Sequence, residues 1–346
     1  MIYLRECFMR RTQYVIRIVP LFFFILLYSS CNKLEGGVFY TYDINFPDPP
    51  IEVMTSNDST LTIYDKRHLN YFNIVKVGYY YYMYYLAFGD DTDGSDLSQR
   101  MLFAYSFDLR TWYRKIPGKD DNIILENIAD ASVSYNPKDN YPFKLVCRKV
   151  ISGTNYLVLY TSINGVDFQY RKILMNGKFD TQSSIVEYAN GYKLFTRLWN
   201  DEHTNRMIGV AKFDKDNNLI DTLKNIGLHH VYNPATLKID EDYILLLPSI
   251  MNNLEGSNND TMFIKSYLLC NNSDESVNTQ LFEISNNLDY WEKSPQIYIS
   301  PGIFKYNDEL YISYQAKNRG HDALFFPSTS YKIIKINIEK KRINLH

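Results

Sequence analysis

Long helical patterns are nearly absent from this chain of 346 residues, and so is any basic stripe. The net charge is -2, with Lys and Arg scattered along the sequence, which argues against a nucleic-acid partner. The longest apolar run near the start, Ile18 to Leu27, is too short to span a bilayer comfortably. Cysteine is scarce at four residues; none shows structural-zinc spacing, and Cys147 reads as a buried strand residue in Phe143-Lys144-Leu145-Val146-Cys147. No Pro/Gly/Ser linker breaks the chain after its amino terminus. What is abundant is aromatic: 16% of the residues, 31 of them Tyr, the balance of a β protein with half-buried strands.

A phrase repeats in that background. Ser106-Phe107-Asp108-Leu109-Arg110-Thr111-Trp112 is followed by Ser162 with Asn164 and Phe168, then Ser285 with Asn287 and Trp291. In each, Asp or Asn stands two places after Ser and a large aromatic six places after it, behind an apolar strand-like run. The Ser and Asp or Asn are expected to bind turn backbone while the aromatic anchors the outer strand. A second match sets Asn233 to Ile244 against Ser300 to Tyr311, each reading as strand, acidic turn, strand. Looser copies start near Asn70, Asp130 and Ser183, and weaker unit ends fall at Lys212 and Lys335. The five ends are spaced 56, 50, 73 and 50 residues apart, which suits four-stranded blades with one enlarged loop. The fold expected is therefore all-β, a five-bladed β-propeller over residues 60–346, with 32–59 a linker and extension.

The amino terminus reads separately. Arg10, Arg11 and Arg17 precede the apolar run, as in a signal peptide over 1–31. Tyr28-Ser29-Ser30-Cys31 resembles the lipobox of bacterial lipoproteins, which implies acylation at Cys31, export, and a lipid anchor to the outer membrane or cell surface. Glu35 resembles the acidic signal that sends some Bacteroidota lipoproteins outward. The alternative is an ordinary secretory leader with a chance cysteine.

In a propeller, innermost strand starts and the loops joining second to third strands meet at one rim around the axis, where ligand chemistry belongs. The starts bring Asp65, Asn70, Asp130, His229, His230 and Asn233 there; the loops add Arg148 and the stretch Asn200 to Arg206. Ala104 to Trp112, with Asp130-Ala131-Ser132-Val133 and Phe143-Lys144-Leu145-Val146, resembles the five-bladed glycoside hydrolases of the invertase/levanase and arabinanase/xylosidase groups. That resemblance implies carboxylates at strand starts. Asp130 takes the place of the second-blade Asp that supports the transition state, with Asp65 and Glu202 as further catalytic candidates. The first-blade position is held by Asn70, and Glu187 lies by a turn facing away from the rim.

Glycoside hydrolysis needs two carboxyl groups, one to protonate the leaving oxygen and one to attack or activate water. Asp130 either meets substrate or caps its own strand through an Asx turn. Arg197 and Trp199 share a strand face, with His203 beyond, a set suited to sugar C–H groups and hydroxyls or to blade packing. Of His229 and His230, strand alternation sends one ring inward, and a neutral imidazole there can donate to a sugar hydroxyl. Asp91, Asp93 and Asp96 alternate as calcium ligands do, but Gly94 stands too early for an EF-hand; a solvated acidic loop is the simpler reading, and no other cofactor is implied. Three functions follow: a glycosidase-like surface lipoprotein acting on an oligosaccharide or polysaccharide, a non-catalytic glycan-binding one, or a structural propeller whose rim loops bind protein; a monomer is expected.

Overall fold

The computed structural model describes residues 38–55, 64–65, 67–88, 99–176, 183–199, 206–239, 243–251, 262–270, 277–283, 296–306, 308–318 and 329–344. Among them there is no helix. Two strands open the chain, β1 (Val38–Asn45) and β2 (Ile51–Thr55). Blade one follows as β3 (Arg67–Val77), β4 (Tyr80–Phe88), β5 (Arg100–Ser106) and β6 (Ile123–Glu126). Blade two holds β7 (Ala129–Tyr135), β8 (Phe143–Ile151), β9 (Thr154–Ser162) and β10 (Gln169–Asn176). Blade three holds β11 (Ser184–Tyr188), β12 (Gly191–Trp199), β13 (Arg206–Asp214) and β14 (Leu219–His229). Blade four holds β15 (Val231–Lys238), β16 (Tyr243–Met251), β17 (Met262–Cys270) and β18 (Val277–Glu283), and blade five β19 (Gln296–Tyr306), β20 (Glu309–Asn318) and β21 (Thr329–Asn344). Every sheet is antiparallel in chain order, so the five-bladed β-propeller is present as the repeat predicts.

Blade five corrects the expected boundary. Its outer strand comes from the stretch read as linker and extension: β2 pairs with β21 from Ile51↔Ile333 to Thr55↔Ser330. β1 pairs with the second half of β21, from Val38↔Asn344 to Asn45↔Asn337, and Phe46 to Pro50 joins the two. Nothing local marks these residues as blade strands, because their partners lie at the other end of the chain.

Strand alternation gives each blade two apolar faces, and the buried residues sort into five clusters, one for each seam between neighbouring blades. Between blades one and two, for example, Tyr84, Phe103, Phe143 and Val158 pack together, and the Tyr331 ring of blade five packs tilted against Phe72 of blade one, with centroids 4.1 Å apart. At about 1.5–3 kcal/mol for each large apolar side chain buried, these seams hold the ring together.

The repeated phrase is a turn between third and fourth strands. Ser106 Oγ accepts the Asp108 and Leu109 amides at 3.2 and 3.0 Å, and Asp108 accepts the Arg110 and Thr111 amides at 2.9 and 2.7 Å. Ser162 and Asn164 repeat this, with Gly165, Val166 and Asp167 donating. The fourth residue takes a left-handed backbone in both, Leu109 at φ +61° and Gly165 at +78°. At 165 a side chain would meet Tyr84 and Phe143 within 2.8 Å, so glycine is required there. Trp112 Nε1 donates to the Leu109 carbonyl and fixes the aromatic anchor. The Ser285 copy lies outside the described residues.

Candidate functional site

The innermost strands β3, β7, β11, β15 and β19 surround the axis, and a cavity of about 260 Å³ runs between them, lined by Asn73, Ser132, Ser184, Thr236 and Gly302 among others. Polar links cross from strand to strand. Asn73 accepts the Val133 amide at 3.3 Å, Ser184 accepts the Thr236 amide at 3.0 Å, and Gln315 donates to the Leu69 carbonyl at 2.7 Å.

At the end where these strands begin, regular pairing breaks. β3 shifts register between Asn70 and Asn73, β7 between Ala129 and Ser132, β15 between Tyr232 and Pro234, and β19 between Ile299 and Gly302. At or beside three of these breaks a non-glycine residue holds a left-handed backbone: Tyr71 at φ +47°, Asp130 at +53° and His230 at +58°. Bulges and strained residues persist where the surroundings over-determine them, and they gather at functional sites.

Asp130 is the centre of this end. It is 3% exposed, and Arg148 of β8 donates Nε to its Oδ2 at 2.5 Å. The Tyr71 hydroxyl hydrogen-bonds it from blade one, and Arg197 of β12 adds its charge from blade three. Burial raises the Asp130 carboxyl above the ordinary carboxylate range, against the downward pull of Arg148, Arg197 and Tyr71. Burial also raises Tyr71 well above an ordinary phenol, and the neighbouring Asp130 charge adds to that, so its hydroxyl stays a donor. Three blades thus converge on one carboxylate. Tyr71 escaped the sequence reading; its signal is the failed alternation of Asn70-Tyr71-Phe72-Asn73, which marks a bulge.

The other candidates distribute as follows. Asp65 is fully buried in a different group: Tyr85 donates to it at 2.8 Å, Arg114 lies at 3.9 Å, and Asn122 donates to the Tyr85 hydroxyl at 2.9 Å. Arg197 and Asn233 are buried at 4% each, His229 is exposed and His230 half-buried. Asn70 and Trp199 lie in β3 and β12, but their side chains are outside the described set. Glu202, His203 and Cys31 lie outside the described residues, as do Asp91, Asp93 and Asp96. Among the described residues no three His, Cys, Asp or Glu side chains gather to hold a metal. Glu187 sits at the opposite end on Lys144 at 2.7 Å, as its turn position predicts.

No protein-family model matches the sequence, and no curated protein matches it. Solved structures do. The endo-arabinase of Bacteroides thetaiotaomicron superposes with a TM-score of 0.55 at 14% identity, covering 85% of this chain and 98% of that one. The α-L-arabinanase of Cellvibrio cellulosa, complexed with arabinohexaose, gives 0.51 at 10% identity over 78% of this chain and 92% of that one. The family 32 β-fructofuranosidase of Bombyx mori gives 0.57 at 10% identity over 78% of this chain and 60% of its own. At these identities the likeness is one of fold: this chain shares the five-bladed propeller of those glycoside hydrolases.

Proposed function

We propose that the chain binds an oligosaccharide at the axial rim and does so as an exported lipoprotein held by Cys31 at the outer membrane or cell surface. The observation that carries the site is Asp130 itself, a buried carboxylate fixed by Arg148 and Tyr71 on a strained backbone at the mouth of the axis. Such a group accepts hydrogen bonds from sugar hydroxyls while the guanidinium groups of Arg148 and Arg197 donate to ring and hydroxyl oxygens. A propeller of the same fold holds arabinohexaose, which supports a carbohydrate as the partner.

Capture without cleavage is the better-supported form. Hydrolysis asks two carboxyl groups to flank the bond, and the described side chains acting on Asp130 are two arginines and a tyrosine. Asp65 is engaged with Tyr85 and Arg114. The glycosidase reading keeps one specific support: Glu202 falls in the connection between β12 and β13, whose ends lie at this rim.

The test is a panel of arabino-, xylo- and fructo-oligosaccharides offered to wild type and to Asp130→Asn, with calorimetric binding and chromatographic product release both recorded. Saturable binding without product, weakened at least tenfold in the variant, is the expected result. Product from wild type alone would transfer the site to hydrolysis, and no engagement of any sugar would overturn both readings.

A further inference from the structure

The most exposed apolar residues of the described surface collect on one face. The five most exposed large hydrophobics, Tyr79 at 90% with Ile163, Ile220, Phe107 and Tyr170, all stand in or beside turns at the end of the blades opposite Asp130. On blade one they join into a platform: Tyr80 lies 4.8 Å from Phe107, and Tyr113 stacks on Tyr105 at 5.2 Å. The exposed charges beside it are of both signs, Lys76, Arg110 and Lys115 with Asp108 and Asp120, so this is an aromatic surface rather than a polybasic one.

The chain enters at that same face. β21 runs away from the Asp130 rim, and β1 is antiparallel to its last half with Val38 opposite Asn344, so Val38 stands beyond the turn end of blade five, on the side where β1 meets β18 of blade four. Cys31 is seven residues earlier in the sequence, a reach of at most about 25 Å.

We propose that the turn face seats the protein on the bilayer: its tyrosines and Phe107 rest at the boundary between headgroups and acyl chains, where amphipathic aromatic rings are favoured. The Asp130 rim then points away from the membrane. This rests on the lipid-tether reading of Cys31 and is independent of which sugar is bound.

The experiment uses the full acylated chain in vesicles of phosphatidylethanolamine and phosphatidylglycerol with brominated acyl chains, comparing Phe107→Trp with Ile151→Trp, an exposed position in the rim-side turn between β8 and β9. The emission added by Phe107→Trp should be quenched at least twofold and stay so in 1 M salt, while that added by Ile151→Trp is unquenched. Equal quenching, or none at Phe107→Trp with Cys31 shown to be acylated by mass spectrometry, overturns the seating alone. A signal at 107 that responds instead to added oligosaccharide or to protein concentration overturns it in favour of a sugar platform or a second copy. Absence of acylation at Cys31 removes the tether and the seating together.

Discussion

The two ends of the same strands are built by different rules. At the turn end, Ser106 with Asp108 and Ser162 with Asn164 satisfy backbone amides two and three residues ahead, so each turn is complete within its own short segment. At the rim, Asp130, Tyr71, Arg148 and Arg197 come from three blades, and two of them sit on left-handed backbone. The first end closes blades locally and favours the ionised carboxylate. The second holds a charge out of water on borrowed geometry, and only the assembled ring can keep it there. Left-handed backbone occurs at both ends, including Leu109 at the turn end, but at the rim it carries groups that three blades must bring together.

Asp130→Ala should break this contrast hardest. It removes the buried partner of the half-buried Arg148 guanidinium, and unfolding in urea is expected to show a loss of about 3 kcal/mol. Gly191→Ala tests the turn end. Its φ of +148° disfavours a side chain, whose Cβ would lie 1.9 Å from the Phe213 carbonyl oxygen; a loss of roughly 2 kcal/mol is expected. Asp108→Asn is milder, about 1 kcal/mol, and its sign with pH separates the two ends.

Backbone donation from Thr111 and Arg110 lowers the Asp108 carboxyl to about 2 from 3.8. Its contribution is therefore present above the unfolded value and lost as pH falls through about 2, and Asp108→Asn should flatten that part of the acid-unfolding curve. Asp130 is shifted upward, so its contribution is greatest below the ordinary carboxylate range and declines as pH rises through the raised value. Asp130→Asn should then change the curve in the opposite sense. Parallel changes in the two variants would remove the distinction between the ends.

These rules also explain what could be read without coordinates. The Ser106 and Ser162 turns were legible because every hydrogen bond they make spans a few residues. Asp130 was legible through its place in the repeat, whereas the role of Tyr71 was not, because a bulge and a positive φ leave only a broken alternation in the sequence. Asp65 illustrates the limit from the other side: its distance in sequence from Asn70 suggested the rim, but Tyr85 and Arg114 of its own blade take up the carboxylate. The blade role of β1 and β2 was hidden for a simpler reason. Their register is decided by β21, and Asn45 meets Asn337 across 292 positions.

That closure sets an order on how the molecule comes into being. Blades one to four each contain all of their strands in sequence and can assemble as the chain is delivered, but blade five waits for the final strand to find the first. The first described strands, β1 and β2, are thus among the last to be fixed. Such a distant pairing carries a loop-closure entropy the earlier hairpins do not, which makes it the slow step of folding. Until it happens, the flank of β21 is an unpaired edge open to a neighbouring chain. A chain shortened within β21 loses the latch while keeping four complete blades, and its fate is an open ring prone to association.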